Sequence, residues 1–201
     1  MLHLLRYGFF LLYFIPILLP AQDDWRSGYV VTNEGDTLQG MVRDRDTGSF
    51  GGLYRKIKWK ANENTKGRKR GKFRPGQLTA YQWGDARFVV LPVATSSSLL
   101  YTQRWVDEAK GQPEVFRVIA EGPLCLYHDE FNDDESSFID FVPFFKKEGE
   151  SDLVRATQGI FGLKKKLLSK YFADRPDLVN GLQSGYLKTP MDVVRAYEEG
   201  E

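Results

Sequence analysis

Short segments rich in β-branched and aromatic residues follow one another from Ser27 to about Lys146, and no helical repeat separates them. Pro75-Gly76 and Gly122-Pro123 are clear breaks between such segments. Strands that succeed one another without a crossover helix pair antiparallel. The sequence therefore predicts an α+β chain, in which an antiparallel β-meander forms an open sheet or a small barrel-like roll and about three short C-terminal helices follow. A parallel, doubly wound fold is not expected.

The clearest strand signal is a hairpin near the start of this region. Gly28–Thr32 and Thr37–Arg43 flank the turn Asn33–Asp36, which supplies a glycine for the tight turn. Lys56–Lys60 alternates charged and apolar residues, as a strand with one wet face does. The remaining predicted strands are less regular: Gln77–Trp83, Arg87–Val93, Leu99–Val106, Val115–Glu121, Leu124–Asp129 and Phe138–Phe145.

The C-terminal part changes from strand to helix periodicity. Apolar residues recur at helical spacing from Gly162 to Phe172, and Lys164 falls inside their apolar face. The helix therefore either begins later or lays the aliphatic stem of Lys164 on the core. Two further helices are predicted, one opened by Asp174 and Pro176 and closed by Gly185, the other capped by Thr189, Pro190 and Asp192. Helices this short are marginal alone, so we expect them to pack on the sheet or on each other.

The amino terminus has the three parts of a secretory signal peptide. Arg6 precedes the apolar run Phe9–Leu19, and Pro20-Ala21 ends that run before polar residues. A membrane anchor would need about 20 apolar residues, and this run is shorter and contains Pro16. We therefore expect a cleaved signal peptide over residues 1–21, an antiparallel β-rich body over 22–150 and a helical tail over 151–201 that packs on the body. The expected location is the periplasm, the outer membrane surface or the extracellular space.

Composition limits both the stabilising chemistry and the partners. Cys125 is the only cysteine, so no intramolecular disulfide can form and the core alone must hold an exported domain together. Lys and Arg number 28 against 27 Asp and Glu, so the overall field gives no reason to expect a nucleic-acid partner. We expect no transmembrane span in the mature chain.

Several motifs resemble one known group of proteins. They are the hairpin Gly28–Thr32 with Gly35–Gly40, the middle strand in which Phe73–Pro75 leads to Leu78–Tyr81, the strand Glu121–Tyr127, and the tail segments Leu167–Leu178 and Val193–Tyr197. This pattern resembles uncharacterised exported proteins of Bacteroidetes-type bacteria. The resemblance implies export and the fold described above, and it implies no activity or cofactor because the group has none assigned. The basic insertion around Arg68 and the stretch Val93–Gln112 depart from the group.

His128 and Cys125 are the first residues to test for catalysis, because His128 is the only histidine beyond the predicted signal peptide. A catalytic histidine needs a nucleophile and an orienting carboxylate nearby. If Leu124–Asp129 is a strand, however, Cys125 and Tyr127 lie on one face and His128 on the other. We therefore interpret Cys125 as a small buried side chain. A hydrolase stays open only if the fold collects His128 with at least two acidic or hydroxyl side chains.

Acidic residues offer two other candidate chemistries. The cluster Asp129-Glu130 and Asp133–Glu135 does not have the spacing or the glycine of a calcium-binding loop, so a solvated hairpin loop is the better interpretation. Asp44 and Asp46 share a strand face, as paired carboxylates for glycoside hydrolysis would, but no other feature marks them as an active pair. No catalytic, metal-binding or cofactor-binding residue is therefore predicted.

The most unusual local feature is a basic run. Repulsion among its like charges predicts an extended, mobile loop from about Asn62 to Gly71. Such a loop is either merely solvated or contacts anionic envelope polymers. The candidate polyanion contacts are Lys66, Arg68, Lys69, Arg70, Lys72 and Arg74.

The function expected from these observations is that of an exported, non-enzymatic structural or protein-interaction module of the cell envelope. Its partner would be another envelope protein, bound through aromatic residues that stay exposed, with Trp25, Trp83 and Trp105 as candidates. The first alternative is a surface protein that binds lipopolysaccharide or acidic glycans through residues 66–74, and contact with a membrane surface is compatible with it. The second alternative is a hydrolase of unknown type.

Overall fold

The computed structural model describes residues 24–45, 56–62, 69–99, 102–132, 139–159 and 162–200. The predicted signal peptide, Asp46, Lys66, Arg68 and the acidic residues 133–135 lie outside these ranges. The described part contains eleven strands followed by three helices. None of these helices has the length and apolar character needed to span a bilayer.

The strands of the described residues pair antiparallel throughout. Their bounds are β1 Arg26–Thr32, β2 Thr37–Arg43, β3 Ile57–Lys60, β4 Arg70–Phe73, β5 Leu78–Trp83, β6 Ala86–Ser97, β7 Thr102–Val106, β8 Gln112–Ala120, β9 Leu124–Asn132, β10 Ile139–Lys147 and β11 Asp152–Arg155.

Six of these strands close into a barrel, in the order β6, β7, β11, β10, β9 and β8. The long strand β6 makes closure possible because it pairs with β8 along one edge and with β7 along the C-terminal half of its other edge. The N-terminal half of that second edge pairs with β5. The predicted barrel-like roll is thus confirmed, and β6 is the strand at which the barrel and the rest of the sheet meet.

The other five strands form an extension of the sheet in the order β5, β1, β2, β3 and β4. The hairpin of β1 and β2 predicted from the sequence is present, with Gly28 opposite Gly40. Apolar residues of the extension, among them Val30, Trp59 and Tyr81, share one buried cluster with Phe88 of β6 and Val115 of β8. The extension therefore packs on the outer wall of the barrel.

The three helices cover a different part of the outer wall. They are α1 Lys165–Tyr171, α2 Pro176–Ser184 and α3 Pro190–Glu199. Leu168, Leu178, Leu182 and Val193 pack with barrel residues such as Phe145 in a second buried cluster. Through these contacts the helices pack on the sheet, as we expected from the sequence.

The helix ends show how the local sequence sets the boundaries. Lys164 occupies the position before α1, so the helix begins after the residue that interrupted its apolar face. Gly185 ends α2 with φ of 77°, a left-handed conformation that favours glycine. Thr189 Oγ1 accepts a hydrogen bond from the backbone N–H of Asp192, whose carboxylate accepts one from Thr189 N–H in turn, as in a capping box.

Alternation along β9 distributes its side chains between the barrel interior and two outer surfaces. Cys125 and Tyr127 face a third buried cluster inside the barrel, together with Phe116 and Phe144. Leu126 instead packs in the cluster beneath the helices. His128 and Glu130 line an open cleft on the outer wall.

Two strands of the described residues were not expected. The predicted mobile loop 62–71 is wrong at its end, because Arg70 and Gly71 belong to β4, where Gly71 lies opposite Trp59. The sheet also continues past residue 150, because β11 pairs with β10 and β7 to close the barrel. Strand β4 was missed because like charges dominate it, and β11 was missed because only four residues alternate in it.

Candidate functional site

A cleft of about 610 Å³ lies between the extension and the outer wall of the barrel. We call it the outer cleft. Trp83 and Asp44 line it from the extension side, and Arg117, His128 and Phe141 line it from the barrel. Antiparallel alternation places these barrel residues together, because Arg117 lies opposite His128 and their side chains share one face of β8 and β9.

Buried charges form the floor of the outer cleft. Nη2 of Arg45 lies 3.0 Å from Oε2 of Glu130, and Nε of Arg45 lies 3.3 Å from Oδ1 of Asp44. The side chains of this trio are only 7–11% exposed. The hydroxyl of Tyr81 donates a hydrogen bond of 2.5 Å to Asp44. Each buried charge therefore has a partner, as buried charges require.

The protonation of Glu130 depends on that pairing. Burial raises the pKa of the Glu130 carboxyl above its ordinary value, and the positive charge of Arg45 opposes this rise. The exposed guanidinium of Arg117 adds a second cation 3.5 Å from the carboxylate. Both cations stabilise the charged form of Glu130, so this carboxylate serves to join the extension to the barrel.

His128 lies above this floor with its ring stacked on Phe141 at 3.9 Å between centroids. Burial, with a smaller contribution from Arg117, lowers the pKa of His128 to about 4. The imidazole is therefore neutral near pH 7. Within the described part of the chain, no side chain makes a hydrogen bond to it.

The outer cleft does gather His128 with Asp44, Asp85 and Glu130, the collection that a hydrolase needs. Two of these carboxylates are already held by Arg45, however, and none orients the imidazole. Cys125 faces the barrel interior, so the prediction that Cys125 and His128 lie on opposite faces of one strand is confirmed. Its Sγ donates a weak hydrogen bond of 3.5 Å to the carbonyl oxygen of Gly122.

Apolar side chains stand in solvent at the rim of the outer cleft. Ile139 is 46% exposed and Phe141 is 48% exposed, two residues apart on β10 and therefore on one face of that strand. Across the cleft, the guanidinium of Arg26 lies 3.8 Å from the ring centroid of Trp83. The indole N–H of Trp83 donates a 2.7 Å hydrogen bond to the carbonyl oxygen of Asp24.

The three tryptophans expected as exposed anchors are all half-buried. Trp83 lines the outer cleft, whereas Trp25 lies under Nζ of Lys60 at 4.5 Å and Trp105 lies within β7. The exposed large apolar side chains at the outer cleft are instead Ile139 and Phe141, which sequence reasoning missed. Their segment, Phe138–Phe145, was predicted correctly as a strand, but the side that the extension and helices leave uncovered depends on the tertiary fold.

The acidic candidates are used structurally where the structure describes them. Asp129 points into the barrel end and accepts a 2.7 Å hydrogen bond from Arg104, while Glu130 lies on the opposite face. Asp44 is held by Tyr81 and Arg45. No three His, Cys, Asp or Glu side chains of the described ranges are grouped so as to hold a metal ion.

The predicted polyanion contacts fall partly on β4. Lys69, Arg70, Lys72 and Arg74 are exposed. The pairing of β4 with β3 sets Lys72 opposite Lys58. Like charges directly opposite each other in a sheet are destabilising.

A second like-charge pair follows on the same strands, because Arg70 lies opposite Lys60. The alternate residues Ile57, Trp59 and Phe73 are buried against the barrel. The four cations therefore share the other face of the hairpin, which we call the basic face: Lys58, Lys60, Arg70 and Lys72.

No protein-family model, no curated protein and no solved structure matches this chain.

Proposed function

We propose that this chain is an exported, non-enzymatic interaction module of the cell envelope and that it binds a protein partner at the outer cleft. The observation that carries the proposal is the pair Ile139 and Phe141, large apolar side chains left half in solvent beside a ready-made cleft. Exposed apolar groups rimmed by polar residues are typical of protein-binding surfaces.

The surroundings of this pair fit a protein partner. Arg26 and Trp83 lie at the same cleft, and arginine and tryptophan are enriched among residues that dominate binding energy. The rim carries charges of both signs, with Arg117 and Asp85 among them, so it does not select a strongly charged ligand. A partner segment with one apolar side chain inserted beside Phe141 would satisfy both features.

The same geometry favours binding over hydrolysis. A general base would need a hydrogen-bonded, orienting carboxylate and a pKa near the working pH. His128 is instead stacked on Phe141 with its pKa lowered to about 4, and Glu130 is bound to Arg45. These groups serve to fix the floor on which a partner rests.

The test compares capture of envelope proteins by the native chain and by the double variant Ile139→Ser/Phe141→Ser. The matched control is Tyr186→Ser, which removes an aromatic side chain that is 82% exposed on the helical side. A photo-crosslinking residue at position 139, and in a second preparation at position 186, identifies the surface in contact. We expect a partner that crosslinks at 139 and is lost only with the double variant. A partner retained equally by the double variant would contradict the proposal.

A second candidate function is binding of anionic envelope polymers at the basic face. Two like-charge pairs lie across β3 and β4, so this face concentrates positive charge that a polyanion would contact. Charged residues also protect sheet edges from aggregation, and β4 is the edge of the extension.

Retention on lipopolysaccharide or an acidic glycan separates these two roles. We would compare Arg70→Ser/Lys72→Ser with the control Lys110→Ser/Lys188→Ser, which removes equal charge from exposed positions elsewhere. Polymer binding predicts salt-sensitive retention that is lost with the first variant alone. Equal retention of both variants would leave protection of the sheet edge as the role of these residues.

A further inference from the structure

A second cleft, of about 1160 Å³, opens at one end of the barrel and shares no lining residue with the outer cleft. We call it the mouth cleft. Strands β7, β9, β10 and β11 form one side, and α1 with the residues just before it forms the other. The cleft therefore lies where the helical tail crosses the end of the barrel.

Arg104 separates the mouth cleft from the barrel interior. Its Nη1 lies 2.7 Å from Oδ2 of Asp129, its Nη2 pairs with Glu114, and its guanidinium lies 4.8 Å from the ring centroid of Phe144. The interior beyond it is filled by a cluster that includes Phe116. A ligand is therefore confined to the outer part of the cleft, and the charge of Arg104 is already neutralised.

The remaining charges in the mouth cleft are mainly positive. Six of its lining residues are Lys or Arg and two are Asp. Among the described residues, no carboxylate forms an ion pair with Arg155, Lys164, Lys166 or Lys170. Burial, together with the nearby charge of Arg155, lowers the pKa of Lys164. Lys164 and Arg155 thus lie close together without an ion-pair partner in the part of the chain that the structure describes, and an anion would relieve their repulsion.

The apolar part of the mouth cleft is aliphatic. Val142, Val154, Leu163 and Leu167 line it, and the one aromatic ring among its described lining residues, that of Phe144, lies against Arg104. A saccharide pressed on this wall would lose hydrogen bonds of its hydroxyl groups to water without replacement. An aliphatic chain carries no such cost and gains from burial.

We propose that the mouth cleft binds an anionic amphiphile, that is, a single aliphatic chain with a carboxylate or phosphate head. Lys164, Lys166 and Lys170 hold the head, and Leu163 and Leu167 line the path of the chain. This site shares no residue with the outer cleft or with the basic face. The proposal for the mouth cleft therefore does not depend on either of the functions proposed for those two surfaces.

Calorimetric titration of the purified full chain tests the proposal, with all ligands below their micelle concentrations. The anionic probes are decanoate and decyl phosphate, which distinguish a carboxylate from a phosphate head. The controls are decanol, which lacks the charge, and acetate and inorganic phosphate, which lack the chain. We expect saturable binding of an anionic amphiphile and much weaker binding of every control. Each methylene between octanoate and decanoate should tighten binding about two- to fourfold.

The variant Lys164→Gln/Lys166→Gln/Lys170→Gln should weaken binding about tenfold or more, because it removes charge-assisted contacts to the head. The matched control is Lys56→Gln/Lys110→Gln/Lys188→Gln, which removes equal charge from exposed positions outside the cleft and should leave affinity unchanged. Circular dichroism of both variants checks that they fold.

Four results would overturn the proposal. They are the absence of binding at millimolar decanoate and decyl phosphate, binding of decanol or acetate as tight as that of decanoate, an equal loss of affinity in the control variant, and binding only to vesicles of anionic phospholipid. The last result would identify the mouth cleft as a membrane-contacting surface instead.

Discussion

Arg45 Nη2 and Glu130 Oε2 lie 3.0 Å apart although the two residues are separated by 85 positions in the chain. This ion pair joins the segment that follows β2 to the outer wall of the barrel at β9. Glu130 lines the outer cleft together with Ile139 and Phe141, so the stability of the extension and the shape of the outer cleft depend on the same contact.

Replacing Arg45 with Met should therefore cost about 3–5 kcal/mol of unfolding free energy, because Asp44 would be left buried without a cation and Glu130 would keep only the exposed guanidinium of Arg117 at 3.5 Å. Urea unfolding at pH 7 measures the change. The control Arg87→Met breaks a 2.5 Å ion pair with Glu121 whose side chains are 49% and 45% exposed, and should cost less than about 1 kcal/mol. Equal losses in the two variants would contradict the structural role of Arg45.

The pH dependence of stability should report the environment of His128. Its pKa falls from the ordinary 6.5 to about 4 on folding, so between these values the unfolded chain binds more protons than the folded chain. The free energy of unfolding therefore falls as the pH drops from 6.5 to 4, and this contribution levels off below pH 4. Because the ring is half-exposed, we expect a loss of about 1–2 kcal/mol.

The variant His128→Gln isolates this contribution, because it removes the imidazole of His128 and retains every other titrating group. Its stability should change less than that of the native chain between pH 6.5 and 4. Urea unfolding at several pH values gives the difference, and the chemical shifts of the imidazole give the pKa directly. A measured pKa near 6.5 would show that His128 is not buried against Phe141.

The hydroxyl of Tyr171 should stabilise the contact between α1 and β10. It accepts a 2.8 Å hydrogen bond from the backbone N–H of Lys147. Tyr171→Phe leaves that half-buried donor unsatisfied, which costs about 1–3 kcal/mol. The same change at Tyr186, whose side chain is 82% exposed, should stay within about 0.5 kcal/mol. Thermal unfolding distinguishes them, and an unchanged midpoint for Tyr171→Phe would exclude the hydrogen bond as a stabilising contact.

Replacement of Leu182 tests whether the helices and the barrel unfold together as one core. Its side chain is fully buried with Leu178 and Phe145. Leu182→Ala should cost about 2–5 kcal/mol through the cavity it leaves, and the whole chain should unfold in one transition. Leu99→Ala, at a residue that is 99% exposed, is the matched control. Separate transitions by circular dichroism and tryptophan fluorescence would instead mean that the helical tail unfolds independently.

Elements with long, regular patterns were predicted well. The hairpin of β1 and β2 has the expected strands, and α2 ends at the predicted Gly185. Helix α3 begins at the predicted cap Thr189, whereas the residue before α2 is Arg175 and not the predicted Asp174. The short strands β4 and β11 were missed because like charges dominate one and too few residues alternate in the other. Local sequence fixes a helix cap, whereas a four-residue strand is fixed by its neighbours in the sheet.

The candidate sites were much harder to predict from the sequence than the secondary structure. The basic run was visible as composition, but the opposition of Lys58 and Lys72 depends on strand register. The neutral, stacked His128 and the charges beneath it come from strands and loops far apart in the chain. The lysines of α1 line the mouth cleft because the helix crosses the barrel end beside Arg155, and this crossing cannot be predicted from the sequence.

By itself, the sequence determined that strands come first and helices last, that neighbouring strands pair antiparallel, and that no intramolecular disulfide supports the core. These are local or compositional properties, set by periodicity, turn residues and a single cysteine. Only the tertiary structure decided that β6 closes a barrel, and which apolar and charged side chains stay open to solvent. The physical reason is that exposure is settled by what packs on each face, and residues distant in the chain make those contacts.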